Sequence, residues 1–339
     1  MSLKSILRRL APALFLATLP ATIAGGSALA RCSGANLIAD LAPADSQALE
    51  EATRAHPFSS GNLWRATKGE QSVLLVGTYH LSDDRHATLT ARVAGMMEGA
   101  TALLVEAGPD EEAALKRDLA ADPGLLFLTD GPSLMQQFPP EEWAQMAQAL
   151  AARNVPAIMG AKMQPWYLAS ILAIPPCDMA EVTAGLGLDH RVMELAKERD
   201  IPIRALEPYT TVFRIFDSMS AEEQLAMLRS SLMMEDRVAD FSVTLSDAYF
   251  RGESRMVWEF LRQLSGQMPG YTPERANAEF AQMEAVLMTE RNQSWIPVIE
   301  EAAAKGPIVA AFGALHLAGE TGVLNLLAEN GWQLEQLDG

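Results

Sequence analysis

One short pattern occurs twice in this chain, once near each end. Residues 73–80 read Val-Leu-Leu-Val-Gly-Thr-Tyr-His, and residues 308–316 read Ile-Val-Ala-Ala-Phe-Gly-Ala-Leu-His. A run of four or five apolar residues that ends at a glycine predicts a buried strand, and the glycine permits a sharp turn where that strand ends. His80 and His316 then follow the carboxyl ends of their strands, where open α/β sheets place ligands. If the two strands are neighbours, the two histidines share one site.

Each copy of the pattern is followed by a predicted helix and then by another strand. The strand after His80 covers residues 102–106 and ends in Glu106, and the strand after His316 covers residues 333–337. Helical patterns dominate the middle of the chain, where one short strand precedes Glu207. We therefore predict an α/β (α+β) fold. Its mixed central sheet is built from two related end halves and flanked by helices, with a helical insert over roughly residues 123–300.

The start of the chain has the pattern of a secretory signal peptide. A basic stretch precedes the apolar residues 10–19, and Ala28-Leu29-Ala30 matches the small-x-small pattern of a cleavage site. We expect a signal peptide over residues 1–30, export to the periplasm or the medium, and one domain over residues 31–339. No later apolar run is long enough to span a membrane.

The net charge of −17 in 339 residues argues against nucleic acid as a partner, because nothing would neutralise its phosphates. A peptide or small-molecule substrate is expected instead, and the oligomeric state is left open. The chain has two cysteines, Cys32 and Cys177. In an exported protein a disulfide between them is the favoured prediction. A catalytic thiol at Cys177 is the alternative, although its neighbours do not resemble a nucleophile site.

Four side chains that can bind a metal follow predicted strands: His80, Glu106, Glu207 and His316. Imidazole and carboxylate together are common ligands of a divalent transition metal that keeps open positions. Such a metal activates water and polarises a carbonyl group, and Glu106 or Glu207 can serve as a ligand or as the general base. The sequence contains no His-Glu-x-x-His helix, phosphate-binding loop or Gly-x-Ser-x-Gly motif.

Structural interpretations compete with these functional ones. A single histidine at a strand end is usually only hydrogen-bonded, and it is the recurrence of Gly-x-x-His that favours function. Glu207 can simply mark a strand end. Asp189 is expected to cap a helix, with His190 exposed beside it, and His86 is expected on a helix surface. Arg291 lies in a predicted helix, where an exposed position is the default expectation.

The chain resembles the TraB/PrgY/GumN family, which includes the Tiki metalloproteases, and more distantly the erythromycin-esterase-like fold. It is most similar to the exported bacterial GumN-like branch. The residues that carry the resemblance span nearly all of the chain: Gly77-Thr78-Tyr79-His80, Val105-Glu106, Gly187-Leu188-Asp189, Leu206-Glu207, Glu290-Arg291-Asn292-Gln293-Ser294-Trp295, and Gly313-Ala314-Leu315-His316 followed by Gly322-Val323-Leu324.

The resemblance implies a metal-dependent hydrolase that cleaves peptide or amide bonds, with manganese or cobalt as the metal and zinc as an alternative. It implies that His80, His316 and Glu106 bind the metal, with Glu106 also catalytic. Arg291 and Asn292 match a family motif that points at the site and are expected to be catalytic. Asp189 and Glu207 are secondary candidates for the site.

Two other function classes remain open from the sequence. One is a non-catalytic envelope protein that binds a saccharide or peptide linked to extracellular polysaccharide production. Tyr79, Trp166, Tyr167 and Trp295 could stack on sugar rings in that case, or could equally belong to the core. The other is an esterase that acts on small cyclic esters.

Overall fold

A six-stranded mixed sheet organises residues 32–185, 187–267 and 272–338, which the computed structural model describes. The predicted signal peptide lies outside these residues. In spatial order the strands are β4-β3-β5-β2-β1-β6, and β1 runs in the direction opposite to the other five. The strands are β1 Leu63–Lys68, β2 Gln71–Thr78, β3 Ala102–Val105, β4 Ile203–Ala205, β5 Ile308–Gly313 and β6 Gln333–Gln336. The predicted fold class is confirmed.

The two strands that carry the repeated pattern are neighbours. β2 and β5 pair in parallel, with Gly77 opposite Phe312 and Thr78 opposite Gly313. The glycines of the two motifs are therefore offset by only one residue across the strand pair, and both histidines follow the carboxyl ends of their strands at the same edge of the sheet. β3 pairs in parallel with the other side of β5, and β4 pairs in parallel with β3. Four parallel strands thus end together where the predicted site residues begin.

Helices cover the sheet and fill most of the chain between β3 and β5. Several begin with proline in the first turn, where the missing N–H costs nothing. The helices are α1 Pro43–Arg54, α2 His86–Met96, α3 Pro109–Ala121, α4 Leu134–Gln137, α5 Pro140–Ala152, α6 Ala157–Gly160, α7 Pro165–Leu172, α8 Met179–Ala184, α9 Leu188–Glu198, α10 Thr210–Asp217, α11 Ala221–Met233, α12 Val238–Phe250, α13 Ser254–Gly266, α14 Pro273–Glu284, α15 Glu290–Ala303 and α16 Val323–Glu329. A π-helical turn, Ala285–Thr289, joins α14 to α15.

Both faces of the sheet are buried, which explains why the central strands read as continuous apolar runs. On one face Leu75 and Ala310 pack with residues of α15 and α16. On the other face Leu74 and Val309 pack with residues of α2 and α9. Each fully buried side chain of the size of leucine contributes roughly 1.5–3 kcal/mol to stability. A separate apolar cluster joins the helices α4, α5, α7 and α11.

Cys32 and Cys177 form a disulfide, as predicted. The bond joins the beginning of the described chain to the loop between α7 and α8, across a sequence separation of 145 residues. None of the helices in the described ranges has both the length and the apolar character needed to cross a membrane.

The prediction that His86 lies on a helix surface is wrong. Its side chain is fully buried at the start of α2, in contact with the rings of Tyr79, Tyr249 and Phe250. Its Nε2 lies 2.9 Å from the carbonyl oxygen of Leu81. Tyr79, which follows β2, and two aromatic residues of α12 form a pocket for the ring, and the local sequence around His86 did not indicate it.

Candidate active site

The predicted site residues meet at the carboxyl edge of the parallel strands. His80, Glu106 and His316 follow β2, β3 and β5, and Glu207 follows β4. They surround Gly313, where a Cβ atom would lie 3.3 Å from Glu106 Oε1, 3.8 Å from His80 Nε2 and 3.7 Å from His316 Cδ2. Glycine at this position therefore keeps open the space that these three side chains face.

Arg291 is buried at the centre of this group, so the expectation of an exposed arginine is wrong. Only 11% of its side chain is exposed. Its Nε and Nη2 donate to Glu207 at 2.9 and 2.6 Å, and Nη2 also donates to Glu106 at 2.6 Å. Its Nη1 donates to the Leu287 carbonyl at 3.1 Å and lies 3.2 Å from His316 Nε2. All five N–H groups of the guanidinium thus have partners within the protein.

The cations around Glu106 keep its carboxylate ionised. Burial alone raises the pKa of Glu106. The charge of His316, which is protonated only at the low pH where Glu106 titrates, and the charges of Arg291 and His80 lower it to about 2, together with the N–H of Gly313 at 2.7 Å. Glu106 therefore carries a negative charge at any physiological pH. Such a group suits ion binding and is a poor acceptor of protons.

His316 is held as a neutral imidazole with a defined tautomer. Its Nδ1 lies 2.6 Å from Asn292 Oδ1, and Asn292 Nδ2 donates to the Thr321 carbonyl at 2.9 Å. This arrangement assigns the proton to Nδ1 and leaves the lone pair on Nε2, which faces Arg291. Burial lowers the pKa of His316 to about 4. Asn292 thus acts on the site through His316.

His80 is paired with Asp189. The first turn of α9 approaches the end of β2 so closely that a Cβ on Gly187 would lie 2.3 Å from the His80 carbonyl oxygen. This contact brings Asp189 Oδ2 to 3.6 Å from His80 Nδ1 and 3.0 Å from His190 Nδ1. The N-cap of α9 is Gly187 and Asp189 lies inside the first turn, so the prediction that Asp189 caps the helix is wrong.

The pairing with Asp189 changes the charge of His80. Desolvation in the cleft lowers the pKa of His80, but the negative charge of Asp189 outweighs it and raises the pKa to about 9. The ring is therefore protonated at neutral pH, while 66% of its side chain remains open to the cleft. The two histidines of the repeated pattern thus differ in charge, one cationic and one neutral.

A cavity of about 370 Å³ opens beside these groups. It is lined by five of the predicted site residues, His80, Glu106, Asp189, Glu207 and Arg291, and by five polar side chains that were not predicted for the site: Thr78, Glu112, Ser170, His190 and Tyr209. Thr78 lies inside the first Gly-x-x-His motif, and His190 follows Asp189. Both positions could have indicated a place in the site. Thr78 was missed because it looked like part of the apolar strand, and His190 was missed because Asp189 looks like a helix cap in the sequence.

The donor types around Gly313 fit a divalent transition metal. His80 turns its Nε2 and His316 its Cδ2 edge toward this region, and Nε2 of His316 faces Arg291. Asp189 and Asn292 approach the Nδ1 atoms of the two rings. A carboxylate or amide oxygen on the second ring nitrogen is the usual support for a metal-bound histidine. Glu106 adds an ionised carboxylate. The chemistry of the donors is thus suitable, and their supporting hydrogen bonds are in place.

Their spacing is wider than that of a closed metal site. Among the described residues, ligand atoms from three side chains come within 4.8 Å of one another only in the group Cys32, Cys177 and Asp178. That group offers no thiolate, because its sulfur atoms form the disulfide. At the sheet edge, Arg291 stands between Glu106 and His316 and donates to both.

The aromatic residues considered for sugar stacking belong to the core. Tyr79, Trp166, Tyr167 and Trp295 are each less than 9% exposed. Trp295 packs against His316 at a ring distance of 4.6 Å and donates to Glu207 at 3.1 Å. Trp295 thus supports two of the site residues, and none of the four buried rings offers an open face to a saccharide.

Comparisons with known proteins agree with the geometry. The model of the TraB/PrgY/gumN family matches residues 62–336, a range that contains all six strands. The chain is similar to the uncharacterized protein YbaP of Escherichia coli (strain K12), with 23% identity over 261 residues that cover 76% of this chain and 89% of YbaP. The YbaP protein of Shigella flexneri matches with the same identity and coverage. The chain therefore belongs to the TraB/PrgY/gumN family.

Proposed function

We propose that the protein is an exported, metal-dependent hydrolase that cleaves peptide or amide bonds at the edge of the sheet. One observation carries the proposal: adjacent parallel strands deliver His80 and His316 to one place, where Glu106 joins them around Gly313. Recurrence of the same motif on neighbouring strands is difficult to explain by packing alone, since packing requires no imidazole at a strand end.

His80 and His316, through Nε2, and the carboxylate of Glu106 would hold the metal, which is manganese or cobalt by family resemblance, with zinc as the alternative. A divalent ion there supplies an activated water and polarises the substrate carbonyl. His80 must lose its Nε2 proton before that nitrogen can bind an ion, and Asp189 keeps the ring in place when it does so.

Arg291 and Asn292 contribute through the groups they hold. Arg291 fixes Glu106 and Glu207, and Asn292 fixes the tautomer of His316. Because every N–H of Arg291 is already engaged, its role is to position Glu106 and not to bind the substrate directly. This refines the catalytic role that the sequence suggested for both residues.

The disulfide supports the proposal of export. Disulfides persist in oxidising compartments such as the periplasm and the exterior of the cell, and they are rare where thiols are kept reduced. The bond between Cys32 and Cys177 begins only two residues after the predicted cleavage site, so it belongs to the mature chain in this proposal.

The test is cleavage of a peptide library by mature protein supplied separately with manganese, cobalt or zinc. We expect cleavage that a chelator abolishes and that His80→Ala and His316→Ala each reduce by at least about 100-fold. His56→Ala is the matched control. His56 pairs with Glu259 and Glu320 and not with the proposed metal ligands, so its replacement is expected to leave cleavage unchanged. Metal-independent cleavage, or none with any metal, would contradict the proposal.

A non-catalytic binding protein is the second candidate. The observation that favours it is the engagement of Arg291 with both Glu106 and His316, which leaves no closed set of metal ligands. In that case a peptide or saccharide would raise the melting temperature by mass action without being cleaved. Thermal stabilisation by a ligand that persists intact after long incubation with each metal would favour binding over hydrolysis.

A further inference from the structure

The cavity beside Glu106 has an apolar side for which the proposed hydrolysis assigns no role. Helices α7 to α10 and the connections between them build this side. Its walls are aliphatic, from Ile171, Ile174, Val182, Met193 and Val212. The volume of about 370 Å³ lies within the range of small-molecule sites. The helices between β3 and β5 thus cover the sheet edge and also shape what can reach it.

The volume limits the size of the group that fits. One water molecule occupies about 30 Å³ of liquid, so the cavity holds roughly twelve non-hydrogen atoms of similar size. An amide and its adjoining carbon atoms account for about four or five of these atoms. The apolar part of a ligand that fills the space therefore has roughly seven or eight atoms.

The polar end of the cavity offers partners for an amide. Thr78 is 3% exposed and lines the cavity, and its hydroxyl has no hydrogen-bond partner in the described part of the chain. Asp189 also lines the cavity, and its Oδ1 has no partner there either. A hydroxyl can donate to a carbonyl, and a carboxylate oxygen can accept from an N–H. The aliphatic walls offer no hydrogen-bond partner, so a ligand with a further polar group beside the amide would lose the hydration of that group without compensation.

We propose that this cavity binds the apolar group of an amide substrate, an uncharged hydrocarbon of about seven or eight carbons next to the amide that is cleaved. The inference rests on the proposed hydrolysis, which supplies the amide. The hydrocarbon can be an amino-acid side chain such as that of phenylalanine, or a medium-length acyl chain. Both share the same chemistry, and separate probes distinguish them.

The experiment measures binding of three amides to mature protein by ligand-observed NMR titration, before and after chelation. The side chain of N-acetylphenylalaninamide and the acyl chain of N-octanoylglycinamide each have about seven apolar carbons, whereas N-acetylglycinamide has only its acetyl methyl and methylene groups. We expect at least one of the first two to bind at least about 100-fold more tightly than the third. The probe that binds more tightly identifies the source of the apolar group. Equal affinities for all three amides would overturn the proposal.

A second test of the proposal fills the cavity with a larger side chain. Ser170 on α7 lines the cavity and bonds the Trp166 carbonyl at 3.0 Å. Ser170→Phe is expected to weaken binding of the apolar probes at least about tenfold, whereas Ser170→Ala is not. Ser230→Phe is the matched control, because Ser230 bonds the Ala226 carbonyl in the same way on the exposed face of α11. Unchanged binding by Ser170→Phe would overturn the proposal.

The outcome separates this inference from the proposed hydrolysis. Cleavage of the three amides by metal-loaded protein is measured in parallel. If the apolar probes bind as expected and none is cleaved with any metal, hydrolysis fails and the assignment of the cavity holds. If all three amides are cleaved at equal rates, hydrolysis holds and the assignment of the cavity fails.

Discussion

Replacement of Arg291 by methionine tests how the site is held together. Arg291 is the shared partner of Glu106 and Glu207, whose side chains are 22% and 8% exposed. Methionine fills a similar volume but supplies no charge and no N–H group. Two buried carboxylates would then remain close together without the cation that bridges them, and each would have to be protonated or rehydrated.

The expected cost follows from this burial. Removing one partner of a buried ion pair typically costs about 3–5 kcal/mol. We expect Arg291→Met to lower the free energy of unfolding at neutral pH by about that amount, and Arg291→Met combined with Glu207→Met to recover part of the loss. Arg291→Lys keeps the charge but not the fork that reaches both carboxylates, so an intermediate loss is expected.

The assay is urea unfolding followed by far-ultraviolet circular dichroism, because Trp295 packs against Arg291 and its fluorescence would change for other reasons. Arg54→Met is the control, since Arg54 pairs with Glu50 on an exposed helix face. This replacement is expected to change the free energy of unfolding by less than about 0.5 kcal/mol. A loss of less than about 1 kcal/mol for Arg291→Met would refute the reasoning.

Three further predictions concern the groups around the cleft. Asn292→Ala removes the acceptor for His316 Nδ1 and is expected to weaken metal binding about 10–100-fold by equilibrium dialysis, with a changed ¹⁵N tautomer signature of that ring. Replacing Cys32 and Cys177 together by serine should lower the free energy of unfolding by about 2–5 kcal/mol, and an unchanged denaturation midpoint would contradict this. The pKa of His80 is raised to about 9, so metal binding at neutral pH must release the proton of His80. The affinity for the metal should therefore rise about tenfold per pH unit from pH 6 to 9 and level off above that. His316 is already neutral in this range, because its pKa is lowered to about 4, and it does not add to the pH dependence.

The repeated pattern was sufficient to predict the centre of the sheet. An apolar run that ends at glycine specifies a buried strand and its end, and two such runs with the same ending suggested neighbouring strands. The parallel pairing of β2 with β5 confirms this expectation. Glu106 was predicted in the same way, because the change from an apolar run to a carboxylate marks the end of a buried strand in the sequence.

The partners of these residues could not be predicted, since they depend on packing between distant segments. Asp189 reaches His80 only because α9 docks on the end of β2 through Gly187. In the sequence the same residue looks like a helix cap, as acidic residues at helix starts usually do. The helix begins earlier than predicted, at Leu188, so Asp189 lies within its first turn and is not the N-cap.

Arg291 illustrates the same limit. Because burying an arginine is costly, an exposed position was the default expectation, and only the family resemblance pointed inward. Its carboxylate partners come from strands 185 and 84 residues earlier in the chain. The π-helical turn that directly precedes α15 was also not predicted, and its Leu287 carbonyl accepts one of the Arg291 N–H groups.

The central claim is that His80, Glu106 and His316 hold a divalent metal, and elemental analysis of the mature protein tests it most directly. The protein is purified without chelator, and its metal content is measured by inductively coupled plasma mass spectrometry. We predict about one divalent transition metal ion per chain, lost in His80→Ala and His316→Ala and retained in His56→Ala. No stoichiometric ion in the native protein, together with unchanged metal content and cleavage in both site variants, would contradict the account.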